Sequence, residues 1–230
     1  MRHRLPRSIP PLVVIAILIT GCSRAIPIAW DPIELVQPVE PNGFRIAEVA
    51  LTTTASVTGI HLQVSGPLRE HLHLSPESFV EARANTVKRV RVSMAVPLSA
   101  TPGQTITGAV QVVAGGRTLK RSLPARLRIV PSTPEGTLES LRAALEDRNV
   151  EGYARQFVEA RRPQERAAFE QLADRALDVL ARALQTAERA ALSDDGQMAE
   201  YTITVLLGRD KTVTTIALRR IGGIWYVQHF

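Results

Sequence analysis

The hydrophobic period of this chain changes twice along its length, and that limits its fold more than any other feature. From Trp30 to Val130 apolar residues recur at every second position. Ile60, Leu62 and Val64 alternate with His61 and Gln63, and Val90, Val92, Met94 and Val96 with Arg91, Ser93 and Ala95. Ile106, Val110 and Val112 alternate with Thr107, Ala109 and Gln111. Leu123, Ala125, Leu127 and Ile129 alternate with Pro124, Arg126 and Arg128. Alternation of this kind belongs to strands that bury one face. Pro41-Asn42-Gly43, Ser65-Gly66-Pro67, Pro102-Gly103 and Gly115-Gly116 supply the turns between them. About seven short strands in about 100 residues predict a two-sheet sandwich over residues 30–130. With two Trp, three Tyr and five Phe in 230 residues, its core is built from Val, Leu, Ile and Ala, and an aromatic platform for sugars or nucleic acid is disfavoured.

At Val130-Pro131-Ser132-Thr133-Pro134 the period lengthens. Thr133 followed by Pro134 predicts an N-cap with proline at the first helical position. Leu138, Leu141 and Leu145 then mark one face of a helix ending near Asp147. A second stripe runs through Val150, Tyr153, Ala154 and Phe157. A third runs from Pro163 through Phe169, Leu172, Ala173, Ala176, Leu177, Leu180 and Leu184, at helical spacing throughout. Past Thr186 the period returns to two. Asp194-Asp195-Gly196, Gly208-Arg209-Asp210 and Gly222-Gly223 separate four strands near 186–193, 197–207, 211–220 and 224–229. Residues 131–134 therefore read as a linker, and 135–230 as an α+β domain of helices followed by an antiparallel meander.

Two resemblances follow. The first segment lacks the Cys…Trp…Cys pattern and resembles the cysteine-free immunoglobulin-like modules of bacteria. The stretches "GTLESLRAALEDRNVEGYARQF" and "DDGQMAEYTITVLLGRDKTVTTIALRRIGGIWYVQHF" resemble the nuclear-transport-factor-like (ketosteroid-isomerase-like) superfamily, a cystatin-like arrangement. The ending Gly223-Ile224-Trp225-Tyr226-Val227 carries most of that likeness. It implies a curved sheet wrapped around helices, with a conical pocket. The expected fold class is thus two domains: an all-β immunoglobulin-like sandwich, then an α+β cone.

The N-terminus reads as an address. Arg2, Arg4 and Arg7 precede Leu12–Ile19, an unbroken apolar run of eight residues. Such a run rises about 12 Å as a helix, against a hydrocarbon core of about 30 Å. A charged head, a short apolar run and small residues describe a secretory signal over 1–21. The only cysteine, Cys22, follows at once, and Leu18-Ile19-Thr20-Gly21-Cys22 resembles the lipobox of bacterial lipoproteins. The resemblance implies cleavage before Cys22, lipid on its thiol, a fatty acyl group such as palmitate on the new amino terminus, and a tether over 22–29. Ser23 in place of an aspartate leans towards the outer membrane. One cysteine excludes an internal disulfide framework. Without the signal the side chains sum to 25 − 22 = +3, so the pI of 10.2 overstates how basic the mature chain is, and no nucleic-acid partner is expected.

Candidate chemistry is sparse. The C-terminal segment offers Tyr153, Tyr201, Tyr226, Asp174, Asp178 and His229, the residue types that enzymes of the resembled superfamily place inside the cone. None falls in a matching motif, and Asp174 and Asp178 share a charged helix face. His71 and His73 lie two apart, with His61 on the preceding strand, a spacing that would suit a metal were all three on one face. Leu72 and Leu74 claim the inward positions, so solvent-facing histidines are the expectation; neither a metal nor a cofactor is assigned. Arg89, Arg91, Arg126 and Arg128 read either as a basic face for anionic lipid or as an ordinary soluble sheet face. No phosphate loop or nucleophile motif is present. The leading expectation is a non-enzymatic binding or assembly module with an envelope protein partner. A carrier or sensor of small apolar ligands and an isomerase or dehydratase are the alternatives. A cone filled with side chains favours the first, an apolar cavity the second, and a buried Asp or His in a deep cavity the third.

Overall fold

The computed structural model describes residues 28–208 and 210–230. The signal over 1–21, Cys22 and the tether as far as residue 27 lie outside them. Ile28 and Ala29, placed in the tether by sequence, already belong to the first strand. Ten strands come first: β1 (Ile28–Asp31), β2 (Leu35–Val39), β3 (Phe44–Thr53), β4 (Val57–Ser65), β5 (Leu72–Ser75), β6 (Ser78–Ala82), β7 (Val87–Ala95), β8 (Thr105–Ala114), β9 (Arg117–Thr118) and β10 (Leu123–Ile129). One sheet has the order β1-β3-β7-β5 and the other β2-β10-β8-β4-β6, with β9 beside β8. Within these, β1-β3-β7-β5 opposite β10-β8-β4 is the strand order of constant-type immunoglobulin sandwiches. Leu51, Ile60, Val90, Val92, Val110, Leu123 and Leu127 fill the space between the sheets. In β10 the burial alternates strictly, with Pro124, Arg126 and Arg128 outward.

After residue 133 come α1 (Pro134–Glu146), α2 (Val150–Ala154), α3 (Arg162–Gln171) and α4 (Asp174–Leu184), then the antiparallel meander β11 (Glu188–Leu192), β12 (Met198–Leu207), β13 (Asp210–Ile221) and β14 (Ile224–His229). Thr133 caps α1, its Oγ1 accepting from Gly136 N at 3.0 Å. Leu141 and Leu145 of α1, Phe157, Ile203, Ile216, Leu218, Trp225 and Val227 form a second core. The stripe from Pro163 to Leu184 is two helices, not one. Leu172 and Ala173 adopt extended backbone at ψ 132° and 152°, and Leu172 is 36% exposed. The break lets each helix serve a different partner: Phe169 of α3 stacks on Tyr153 of α2 with ring centroids 5.0 Å apart, while α4 packs on α1 and β12. Among the described residues no helix is long and apolar enough to cross a membrane.

The two units share their boundary. The outer face of the β1-β3-β7-β5 sheet lies under α1, and Phe44 and Ile46 of β3 and Ala95 of β7 join the second core rather than the first. Ser93 Oγ donates to Asp147 Oδ2 at 2.7 Å, and the Arg91 guanidinium reaches Asp147 at 3.3 Å and the Glu146 carbonyl at 3.1 Å.

Candidate functional site

The junction gathers most of the buried polar side chains among the described residues. Glu40, Asn42 and Arg45 flank the Pro41-Asn42-Gly43 turn and are 4%, 8% and 9% exposed. Charged and amide groups at such depth persist only with partners, and each has them. Glu40 Oε1 accepts from the Thr133 amide at 3.1 Å and its hydroxyl at 2.7 Å. The Arg45 guanidinium donates to Ser140 Oγ at 2.6 Å and to the Gly136 carbonyl at 3.2 Å, and pairs with Glu139 at 3.2 Å. Asn42 Nδ2 donates to the Arg155 carbonyl at 2.8 Å, and Gln156 Nε2 returns a bond to the Asn42 carbonyl at 3.2 Å. The Glu40 carboxylate thus sits at the N-terminus of α1, where the helix dipole favours negative charge. It fits because residue 136 is glycine: a Cβ there would stand 1.7 Å from Glu40 Oε1.

Burial holds the Glu40 carboxyl above the ordinary carboxylate range, outweighing the Thr133 hydrogen bonds and the Arg45 charge. The folded chain therefore binds that proton more tightly than the unfolded chain. Stability carried by the group is greatest below its unfolded value and falls as pH rises through the raised folded value. Glu40→Gln is expected to abolish this component. The difference in denaturation midpoint between variant and parent should move in the variant's favour as pH rises from about 4 to about 8. A constant difference across that range would show that the carboxyl does not titrate out of its ordinary window.

Beside this knot opens a groove of 620 Å³ between the sandwich loops and the β13–β14 hairpin, lined by Pro41, Leu98, Pro102, Pro131, Ile221 and Tyr226 among others. Leu98 and Ile221 are 50% and 48% exposed at its rim. A second groove of 700 Å³ runs along α4 past Ala173, Ala176 and Val179 to Leu206. The space between helices and meander is occupied by the side chains of the second core.

The residues singled out by sequence are dispersed. His61 lies on β4 opposite Ser78 and Val113, whereas His73 lies on β5 opposite Ser93, in the other sheet. His73 faces Glu77 at 3.5 Å, and His71 Nδ1 lies 3.2 Å from the Ala95 carbonyl. The three imidazoles do not share a sheet face because the 3₁₀ turn Gly66–Glu70 carries the chain from one sheet to the other. Among the described residues no group of His, Cys, Asp or Glu has metal-site geometry. Asp174 and Asp178 both bind the Arg148 guanidinium, at 3.2 and 2.6 Å. Tyr153 is buried, and desolvation together with Glu165 holds its hydroxyl protonated. Tyr201 donates to Glu135 at 2.6 Å and accepts from Arg189 at 3.1 Å. Tyr226 lies under Arg162, with the guanidinium 6.0 Å from the ring centre, and His229 is exposed near the end of β14. The four arginines read as a basic face or an ordinary sheet face also divide. Arg89 and Arg91 sit on β7, paired with Glu48 and Asp147, and Arg126 sits on β10 of the other sheet, 2.7 Å from Glu34.

No family model matches the chain, and no curated protein matches it either. Among solved structures it has slight likenesses. One is a family 123 glycoside hydrolase from Clostridium perfringens, at 11% identity and TM-score 0.37, covering 50% of this chain and 29% of that one. Another is the periplasmic chaperone SfaE, at 10% identity and TM-score 0.35, covering 45% of this chain and 58% of that one. A third is the CsuC–CsuE chaperone–tip adhesion subunit pre-assembly complex of Acinetobacter baumannii, at 9% identity and TM-score 0.33, covering 89% and 90%. The chain spans under a third of the length of the first and just over half of the second. Likenesses this slight carry nothing about function.

Proposed function

We propose that this is a lipid-anchored, non-enzymatic binding or assembly module of the bacterial cell envelope, an immunoglobulin-like sandwich joined to a nuclear-transport-factor-like α+β unit. The observation that carries the anchor is spacing. The lipobox-like Leu18-Ile19-Thr20-Gly21-Cys22 ends six residues before β1, so the fold begins within a short tether of the modified cysteine. Two or three acyl chains make such attachment stable where one would not. The binding role is supported by the second core, whose buried side chains, Phe157 and Trp225 among them, fill the space between helices and meander and leave recognition to outer surfaces. The junction groove, with Leu98 and Ile221 on its rim, is the surface we assign to a protein partner on the outer-membrane or periplasmic side.

Mass spectrometry of the membrane fraction tests the anchor. The expected N-terminal peptide begins at an acylated Cys22. A peptide beginning after Met1, or a soluble unlipidated product, overturns it. A second reading, a carrier of small apolar ligands, draws on the open groove along α4 rather than on the interior of the cone.

A further inference from the structure

Strand β1 fixes where the tether leaves the fold. Ile28 pairs with Thr53, at the end of β3 remote from Phe44 and the C-terminal unit. Three connecting segments meet at that end: residues 54–56, 83–86 and 115–122. They are tied together and to the exit strand. The Asn85 amide donates to the Thr53 carbonyl at 2.7 Å, the Ala84 amide donates to Ser56 Oγ at 3.2 Å, and Trp30 Nε1 donates to the Arg121 carbonyl at 3.2 Å.

These segments carry Arg83, Arg117, Lys120 and Arg121 and not one Asp or Glu. All four residues are exposed, and Lys88 projects beside them, 5.6 Å above the Phe79 ring. Arg83 has Glu81 at 3.4 Å. Among the described residues Arg117, Lys120, Arg121 and Lys88 have no carboxylate within ion-pair distance, whereas Arg89, Arg91 and Arg126 on the sheet faces do. Arg69 and Arg128 are likewise without an ion pair among the described residues, but they lie apart, on the 3₁₀ turn and on β10, so the exit end is where unpaired basic side chains cluster.

We propose that this end of the sandwich docks on a bilayer surface rich in anionic headgroups, holding the C-terminal unit and the junction groove away from the membrane. The inference rests on the anchored reading above, which supplies the reach. Six residue steps from Cys22 to Ile28 span at most about 20 Å, so an anchored chain keeps these side chains close to the headgroups. Screening at physiological salt acts over about 8 Å, so the attraction operates when the basic segments lie against the surface. Val87, 53% exposed at the same end, adds an apolar contact.

The test uses the chain from residue 23 onward, which keeps every described residue and has no lipid of its own. It is mixed with sedimenting vesicles of phosphatidylcholine alone or with about 30% phosphatidylglycerol. Binding is expected to the anionic vesicles only, and to fall steeply with added salt. Each basic residue near the surface contributes about fivefold to partitioning, so the triple variant Arg117→Gln, Lys120→Gln, Arg121→Gln should bind about 100-fold more weakly. Arg219→Gln with Lys211→Gln, both on the C-terminal sheet, should bind as the parent does. Equal binding to neutral vesicles, binding unchanged in the triple variant, or retention on heparin without vesicle binding would each overturn the proposal. An acylated Cys22 with no vesicle binding defeats this inference alone. Vesicle binding with an unmodified Cys22 in cells defeats the anchored reading alone.

Discussion

Replacing Phe44 by alanine is expected to unfold the C-terminal unit, although the substitution lies in a strand of the sandwich. Phe44 opens β3 and is 1% exposed, yet it belongs to the core that holds Leu141, Leu145, Phe157 and Val227 rather than to the sandwich core. Its amide donates to Ser140 Oγ of α1 at 3.2 Å. Truncating a buried phenylalanine costs about 3–5 kcal/mol, against a total of about 5–15 kcal/mol for a domain. Limited proteolysis reads the result. The connection over residues 131–133 is held by Glu40 on one side and by the Ser132 hydroxyl, which accepts from the Trp225 amide at 3.2 Å, on the other. The parent chain should therefore persist as one protected fragment, and the Phe44→Ala chain should be trimmed to the sandwich. Unchanged protection of residues 134–230 in the variant would show that the C-terminal core closes without the Phe44 ring.

That shared core also marks the limit of what the sequence disclosed. The sandwich has ten strands where about seven were expected. Period and turn chemistry are local, so β4, β7, β8 and β10 of the sandwich, the Thr133 cap, the three inward leucines of α1 and the four strands of the meander could be read from spacing. The break at Leu172-Ala173 could not, because the stripe on either side keeps helical spacing and only the direction of packing changes. In β3 the apolar positions switch from Phe44 and Ile46 to Val49 and Leu51, which puts Phe44 on the face opposite the sandwich core, but nothing in the run says that its partner lies about 100 residues away. Glu40 and Arg45 carried a usable signal. Two charged side chains bracketing a Pro-Asn-Gly turn, one of them at the start of a strand, needed a buried partner as much as a solvated one, and Gly136 one turn into α1 marked where a side chain had to be missing. Leu72 and Leu74 do take the inward positions, with His61 and His73 exposed, but the division of the three histidines between two sheets was not legible. Spacing of two places His71 and His73 together only while the chain stays in one strand, and His71 belongs to the end of a 3₁₀ turn.

Trp225→Ala should be as costly as Phe44→Ala and should act on the same unit from the opposite side. Trp225 lies in β14 and is 5% exposed, and Tyr226 and Val227 beside it are 7% and 0% exposed. Its backbone is engaged twice, the amide with Ser132 Oγ and the carbonyl with Thr137 Oγ1 of α1 at 3.2 Å. Helical spacing makes Phe169, Leu172, Ala176 and Leu180 its natural contacts. Phe169 and Leu180 join the same core, whereas Leu172 is turned out by the break between α3 and α4 and Ala176 lines the groove along α4. Removing the indole costs about 3–5 kcal/mol, and at a slope of about 2 kcal/mol/M the urea midpoint of this unit should fall by about 2 M. The sandwich has its own core, in which Trp30 is 7% exposed, so it should keep its parental midpoint. The two-tryptophan composition makes the separation measurable. In the variant the fluorescence comes from Trp30 alone and reports the sandwich, while far-ultraviolet circular dichroism of the helices reports the C-terminal unit. The helical signal should be lost first, with Trp30 fluorescence following at higher urea. A single transition at the parental midpoint, accompanied by loss of binding at the junction groove, would make Trp225 a recognition residue instead of the anchor of β14.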